Sequence, residues 1–285
     1  FFEFDKAVTN FLIIADSPRF QSSEHRADSL YNAAVILEND QAYARAAKFF
    51  LRYAATVGKP KEAAEATFRA GVIYEKMGDI PTMTKLFRDF GKKYGSVAGQ
   101  EPAAVDAVFR VAKAAHKRGD WPTAAKYYKA TMSEFALRRQ AAASDAAEFA
   151  GNAAFELAER KLTDFLKVKI KGAVNTLVGQ ENALGKKAVA LKAEYQKIFD
   201  YKRARWTLAA MFRFGTIYEH FARSVADGYR TAPVPPQVKR LGQDALDIYQ
   251  SQLDQRLVER VSPLENQAKK LYDECVKKAK EVGVS

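Results

Sequence analysis

The chain has 285 residues, 48% of them hydrophobic and 28% charged, and its 46 Lys or Arg against 34 Asp or Glu give a net charge of +12. This composition is typical of a globular protein of one or two domains and excludes a disordered or fibrous chain. The positive charge favours acidic partners such as phosphates, anionic lipid or an acidic protein face. A single cysteine excludes an internal disulfide, and three scattered histidines leave little for a metal site, so none is expected.

The amino terminus, FFEFDKAVTNFLIIAD, has neither an initiator Met nor a secretory signal pattern, so we expect the sequence to be part of a longer protein. No run of residues approaches the roughly 20 apolar residues that a membrane-spanning helix needs. The sequence therefore predicts no transmembrane segment.

Apolar residues recur every three or four positions, alanine is frequent, and glycine and proline are few, which predicts α-helix throughout. One segment, 166–171, alternates apolar and lysine residues with a period of two. No neighbouring segment could pair with it as a strand, so we predict helix there as well.

A repeat is found when residues 65–95 are aligned with residues 106–136, without a gap, at an offset of 41. The matched features are Gly71 with Ala112, Phe87 with Tyr128, and the turn GDIPT at 78–82 with GDWPT at 119–123. Glycine and aspartate in this turn favour the end of one helix and the cap of the next, and proline suits the first turn of that second helix.

Fainter copies flank this pair. Residues 28–54 align at an offset of 37, with Ala34 at the small position and Phe50 at the bulky one. Residues 146–160 align in a register that is ambiguous by one residue, with Gly151 at the small position. Phe4, Ala7 and Phe11 match a second helix alone, so we expect the chain to start within a repeat. A small residue facing a bulky one lets two helices approach closely, and such pairs stabilise one another by stacking.

At these residues the chain resembles the tetratricopeptide-repeat (TPR) family, whose repeating unit is a pair of helices, A and B. The resemblance covers roughly residues 1–160. The spacing of 37 to 41 residues exceeds the family's usual value of about 34, as in TPR arrays of bacterial envelope proteins. The arrangement also resembles large TPR proteins of myxobacterial gliding-motility machinery. The resemblance implies an all-α fold, a right-handed TPR-like α-solenoid with extra carboxyl-terminal helices.

The resemblance also implies a peptide-binding groove lined by the A helices. The candidate groove residues are Tyr31, Glu38, Phe68, Glu75, Phe109, Lys113, His116 and Asn152. The aromatic rings either line this groove or pack between the helices. The family's clamp for chaperone tails needs Lys and Asn where this chain has Tyr31 and Val35, so that function is not expected.

After residue 160 the repeat fades. We predict basic, irregular helical repeats over 161–230, with helix breaks near 179–185 and at 200–202 and a helix over 204–229. Prolines at 233, 235 and 236 predict an extended crossover. This crossover begins the third predicted region, 231–285, which contains a pair of helices. The first helix is predicted from about 244 to 261. The second begins at the capping pattern SPLE, 262–265, and ends near Gly283.

Residues 160–205 form a basic stretch, with twelve Lys or Arg against four acids. Its candidate binding residues are Lys167, Lys169, Lys171, Lys186, Lys187 and Lys192. Four interpretations remain open, namely a solvated helix face, a surface for an acidic protein or envelope polymer, a nucleic-acid site with its interspersed aromatics, and a membrane-facing patch.

No familiar catalytic motif occurs, and we predict neither a catalytic residue nor a cofactor. The segment from Gly179 to Lys187 resembles a phosphate-binding loop but has the wrong spacing and lacks the Ser or Thr that holds magnesium, so a turn is predicted. His116 and His220 are expected to be solvated surface residues, and Cys275 a buried apolar one.

The sequence therefore predicts a non-enzymatic scaffold for protein–protein interactions, without a small-molecule substrate. It would be one segment of a larger bacterial envelope or motility-associated TPR protein. A periplasmic or envelope location follows from the resemblance alone, and a cytoplasmic one stays open. The alternatives are a nucleic-acid-associated helical-repeat protein and the non-catalytic part of a cell-wall enzyme.

Overall fold

The computed structural model describes residues 3–283 and is 83% helical. Within this range it has twelve α-helices, two short 3-10 helices and no β-strand, so the all-α prediction is confirmed. The chain divides into two compact units, Phe1–Ala153 (unit 1) and Ala154–Ser285 (unit 2).

Unit 1 consists of helices that each pack against the next along the chain from α1 to α7. The bounds are α1 Phe4–Asp16, α2 His25–Asn39, α3 Tyr43–Thr56, α4 Pro60–Met77, α5 Ile80–Tyr94, α6 Glu101–Lys117, α7 Trp121–Leu137 and α8 Asp145–Phe165, whose second half belongs to unit 2. A 3-10 helix, Pro18–Phe20, lies between α1 and α2. Helices α2, α4 and α6 are the A helices of the repeat, and α3, α5 and α7 the B helices.

The turns between A and B helices follow from their sequence. Gly78 ends α4 with φ of 78°, a left-handed conformation that glycine adopts readily. The Asp79 carboxylate then accepts a hydrogen bond from the Thr82 backbone N–H at 3.2 Å and caps α5. Asp120 and Thr123 repeat this cap at 3.2 Å. The shared GD-x-PT sequence thus forms the same turn twice.

The core of unit 1 pairs small residues on A helices with bulky ones on B helices. A Cβ built on Gly71 would overlap the ring of Phe87, so only glycine allows α4 and α5 to approach this closely. Ala34 and Ala112 occupy the matching positions and are fully buried. All three bulky partners are fully buried as well: Phe50, Phe87 and Tyr128. The predicted register is therefore seen directly in the contact of Gly71 with Phe87, and the residues at the matching positions of the other two copies are buried.

Arg138, at the end of α7, also binds the end of α5. Its guanidinium donates hydrogen bonds to the backbone carbonyls of Gly91 and Gly95, at 2.9 and 2.5 Å, and pairs with Glu134 at 3.0 Å. The Gly95 carbonyl follows the last turn of α5, where helices leave acceptors without an intrahelical partner, whereas the Gly91 carbonyl also accepts from the Gly95 backbone N–H at 3.1 Å. A Cβ at Gly95 would overlap the guanidinium, so the glycine makes this cap possible.

Unit 2 contains the second half of α8 and four further α-helices. They are α9 Val174–Gln196, α10 Ala204–Arg230, α11 Pro236–Arg240 and α12 Gln243–Glu281, with a 3-10 helix at Lys197–Tyr201. Helix α10 packs against both α9 and α12. A Cβ on Gly215 of α10 would overlap the Tyr272 ring of α12, so unit 2 also packs an aromatic ring over a glycine.

Two predictions between residues 160 and 202 are wrong. Residues 166–173 are not helical: they form a turn at 166–167 and then an extended connection to α9, in which inward-facing and exposed residues alternate from 168 to 171. Helix α9 runs without a break through 179–185, because Leu177, Leu184 and Leu191 bury one face and Gly185 lies against the Phe221 ring. The break predicted at 200–202 is confirmed, since Lys202 adopts a left-handed conformation with φ of 50°.

The prediction of two helices after the proline-rich segment is also wrong, because α12 is a single helix of 39 residues with Pro263 inside it. Proline cannot donate the backbone hydrogen bond that Glu259 would accept. Residues on both sides of it, Val261 and Ala268, are buried, and this packing outweighs the lost bond. The non-helical crossover at 232–235 and the helix end near Gly283 are confirmed.

No helix within residues 3–283 has both the length and the apolar composition needed to cross a bilayer.

Candidate functional site

The aromatic residues of the predicted groove pack mainly between helices. Phe109 is only 9% exposed and its ring lies 5.6 Å from that of Phe149. Phe68 is half-buried, with its ring 5.2 Å from that of Phe87. Tyr31 is 37% exposed, although it too contacts a B-helix ring. Of the three rings, only that of Tyr31 offers substantial surface to a partner.

The acidic residues of the groove are held in ion pairs between successive A helices. Arg69 on α4 binds Glu38 on α2 at 2.7 Å, and Arg110 on α6 binds Glu75 on α4 at 2.6 Å. Arg110 also binds Asp106, whose pKa is raised because burial outweighs the attraction of this arginine. The A helices are thus cross-linked in the same way at two successive steps.

The ion pairs of Arg69 and Arg110 form what we call the arginine ladder. Sequence reasoning missed it, although a signal for it was present. The dipeptide Phe-Arg occurs at 68–69 and again at 109–110, at the repeat offset. The Arg110 guanidinium lies 5.5 Å from the Phe68 ring centroid, within the range of a cation–π contact. An arginine that recurs in register with a ring indicates an inter-repeat contact.

The remaining groove residues have different surroundings. His116 is half-buried, with Nδ1 2.8 Å from the Tyr128 hydroxyl and its ring against Trp121, so the prediction of a solvated histidine is wrong. Lys113 is exposed and lines an open pocket of about 590 Å³ together with Glu75 and His116. Asn152 is half-buried, and within residues 3–283 its buried Oδ1 has no hydrogen-bond partner.

The six candidate lysines of the basic stretch are called here the basic patch, and the first three of them lie on the extended connection after α8. Val168 and Ile170 face inwards, where the Val168 carbonyl is 3.1 Å from His220 Nε2 and Ile170 fits against Gly228. The alternating residues Lys167, Lys169 and Lys171 are exposed. The period of two thus reflects an extended segment that docks on α10 rather than on a partner strand.

The second half of the patch lies on α9. Lys186 and Lys187 are exposed, whereas Lys192 is half-buried, with Nζ 5.3 Å from the Phe214 ring centroid and 5.8 Å from that of Tyr218. Five of the six predicted lysines are therefore available to solvent, and Lys192 packs on aromatic rings.

Two other predicted residues are structural. His220 is half-buried, burial lowers its pKa, and its contact with the Val168 carbonyl helps hold the connection, so the prediction of a solvated histidine is wrong here too. Cys275 is buried, and burial raises the pKa of its thiol. The expectation of a buried apolar cysteine is confirmed.

The segment that resembles a phosphate-binding loop is part of a helix. Residues 179–187, predicted as a turn, lie inside α9, where the backbone N–H groups are bonded within the helix and form no phosphate cradle. In the described part of the chain, no three His, Cys, Asp or Glu side chains are grouped as metal ligands.

No protein-family model and no curated protein matches this sequence. Functional assignment therefore depends on the residues and their geometry.

Proposed function

We propose that this chain is a non-enzymatic scaffold of the TPR type that binds partner proteins, with its helix pairs arranged as a right-handed solenoid. The observation that carries the proposal is the recurrence of a buried small residue on successive A helices, with Phe87 packed over Gly71 and Ala34 and Ala112 buried at the matching positions. Repeats of this kind expose long surfaces that suit protein partners. The resemblance to envelope TPR arrays supports membership of a larger bacterial envelope protein.

The A helices are the first candidate surface. The arginine ladder fixes their side chains relative to one another, which lowers the entropy lost when a partner binds. Because Phe109 is buried whereas Tyr31 and Lys113 are exposed, we assign partner contacts here to the side chains of Tyr31 and Lys113.

The basic patch is the second candidate surface. Its exposed lysines favour encounter with acidic partners through long-range attraction, which acts mainly on the association rate. Lys167, Lys169 and Lys171 stand together on one extended segment, which concentrates this charge.

The test begins with chemical crosslinking and recovery of partners from a bacterial extract, followed by titration of the recovered partner. Changing Lys167, Lys169 and Lys171 to Gln should slow association and flatten its salt dependence. A matched control changes Lys269, Lys270 and Lys277, three exposed lysines of α12, and should alter association less. Tyr31→Ala with Lys113→Ala should instead speed dissociation.

Equal binding by all these variants would contradict the proposed surfaces. A salt-sensitive oligonucleotide complex that is lost when the three lysines at 167, 169 and 171 become Glu would favour the nucleic-acid alternative. We also expect no turnover of nucleotides, esters or peptides. Hydrolysis that survives repurification and disappears with one point substitution would contradict the non-enzymatic assignment.

A further inference from the structure

A pocket of about 360 Å³ lies in unit 2 between the end of α8 and the middle of α9. Phe165 and Leu191, each 5% exposed, contribute apolar surface, together with Val168 and Ala190. The extended connection contributes Val168 to the lining of this pocket, and no A-helix residue lines it. Its volume is at the lower end of the range of ligand sites and suits one or two apolar side chains.

The pocket lining is balanced in charge, with Lys161 and Lys187 against Asp164 and Glu194, and the neighbouring Lys167 and Lys197 make its surroundings positive. Its two carboxylates already have lysine partners: Glu194 binds Lys161 at 3.3 Å, and Asp164 binds Lys167 at 3.0 Å. These lysines contribute to the lowered pKa of both acids, which stay ionised and paired near neutral pH.

Lys187 lines the same pocket from α9 and is exposed. Among residues 3–283 it has no carboxylate within ion-pair distance. Lys197 adds a second positive charge to Glu194 at 3.4 Å. A partner that reaches the pocket therefore meets an unpaired ammonium group beside an apolar surface.

This combination of features selects the occupant. A simple anion would gain nothing from the Phe165 ring and the aliphatic side chains of the pocket, and an apolar segment would gain nothing from the lysines. An acyl chain is best held in a pocket that encloses most of its surface, whereas this one opens to solvent between two helices. A short acidic peptide with one apolar anchor residue uses both features, since anchors buried in pockets dominate protein interfaces.

We infer that the α8–α9 pocket is a docking site for an acidic segment of a partner protein, with a Leu, Ile, Phe or Trp side chain against Phe165 and Leu191 and a carboxylate on Lys187. The inference rests on the proposed scaffold function and names the partner chemistry at a site separate from the A-helix face.

The test selects random peptides of about a dozen residues, displayed on phage, against the full chain. Selected peptides should carry Asp or Glu on both sides of a bulky apolar residue. In titrations of a synthetic copy, Ala190→Trp, which fills the pocket, and Lys187→Glu, which reverses its unpaired charge, should each weaken binding about tenfold or more, equivalent to about 1.4 kcal/mol.

Two control variants match these changes outside the pocket lining. Ala193→Trp alters an exposed residue of α9 and Lys270→Glu an exposed lysine of α12, and both should leave peptide affinity within about twofold. Melting curves check that each variant is folded, and because Lys187 is exposed, its variant keeps the test valid even if Ala190→Trp misfolds.

Three results would overturn the inference: no selected peptide depends on Ala190 and Lys187, the selected peptides lack acidic residues, or anionic lipid vesicles bind with the same dependence on these variants while peptides do not. A partner recovered from the extract that binds Ala190→Trp and Lys187→Glu unchanged would refute the pocket and leave the scaffold function standing. Failure to recover any partner, with pocket-dependent peptides still selected, would count against the scaffold function alone.

Discussion

Units 1 and 2 pack helices by the same device, although only unit 1 is repetitive. In unit 1 Phe87 covers Gly71 across neighbouring helices of 18 and 15 residues. In unit 2 Tyr272 covers Gly215 across helices of 27 and 39 residues, with no periodic spacing. A ring over a glycine is therefore a local solution to close helix packing, and it is the regular spacing that makes unit 1 an array.

The largest difference between the units should come from removing the rings. Phe87→Ala should lower the free energy of unfolding by about 3–5 kcal/mol, because Phe87 is fully buried and its loss leaves a cavity. Tyr272→Ala should have a smaller effect, since that ring is half-exposed. Differential scanning calorimetry on both variants measures this, and equal losses would mean that the two contacts are energetically equivalent.

Each unit also contains a tyrosine bound to a carboxylate. Tyr195 donates to Glu159, which Arg213 holds with two hydrogen bonds at 2.8 and 2.9 Å, and Tyr53 donates to Glu62 at 2.6 Å. Tyr195→Phe should lower stability by about 1.5–3 kcal/mol, the usual contribution of a hydrogen bond to a charged group. Tyr53→Phe should cost less, because Glu62 is more exposed than Glu159. Urea unfolding at neutral pH compares them.

These tyrosines also predict the direction of an alkaline effect. Burial and the hydrogen bond to Glu159 raise the pKa of Tyr195 in the folded state. The unfolded chain loses the same proton near pH 10, so above that pH the unfolded state binds fewer protons and stability falls as pH rises. Part of this fall should be absent in Tyr195→Phe. An identical pH dependence in wild type and variant would contradict the assignment.

Replacing the small residues of the helix contacts with leucine tests the close packing in both units and the repeat register in unit 1. Gly71→Leu and Ala112→Leu should each destabilise unit 1 by about 1–3 kcal/mol, and Gly215→Leu should do the same in unit 2, since the added side chain must displace a ring or helix. Gly71→Leu should be the more severe of the first two because even its Cβ meets Phe87. Wild-type melting of all three would rule out the close contacts.

The smallest expected change is an increase in the free energy of unfolding. Gly179 is exposed inside α9, and a Cβ there would meet nothing within 4 Å. Gly179→Ala should therefore stabilise the protein by about 0.5–1 kcal/mol through the higher helix propensity of alanine. Unfolding curves for this variant and Gly71→Leu distinguish a glycine required for packing from one that is not.

Structural features that are local or repeated could be predicted from the sequence. The GD-x-PT turns and the register of Gly71 with Ala112 depend on residues near one another in the chain, and all of these were predicted. The extended connection was mistaken for helix because the groups that hold it, Gly228 and His220, lie more than 50 residues further on. Its period of two was visible but had no predicted partner.

The other errors have a similar cause. Pro263 and the glycines of α9 are helix-breaking signals, and burial of flanking residues such as Val261 and Leu184 overrode them. At the candidate surfaces, the lysines of the basic stretch were identifiable from composition. Burial of Phe109 was not, because whether a recurring ring faces solvent or a neighbouring helix depends on contacts such as that with Phe149.

The cap that Arg138 places on α5 limits how freely repeats could be exchanged, whether by evolution or by design. A shortened chain lacking residues 101–138 would lose Arg138 with the α6–α7 pair. The Gly95 carbonyl would then lose its side-chain donor, the Gly91 carbonyl would keep only the Gly95 N–H, and Gly95 would face an empty space. The repeats are therefore not interchangeable modules. A successful transplant would have to move an arginine and two glycines together, although they are separated by more than 40 residues in sequence.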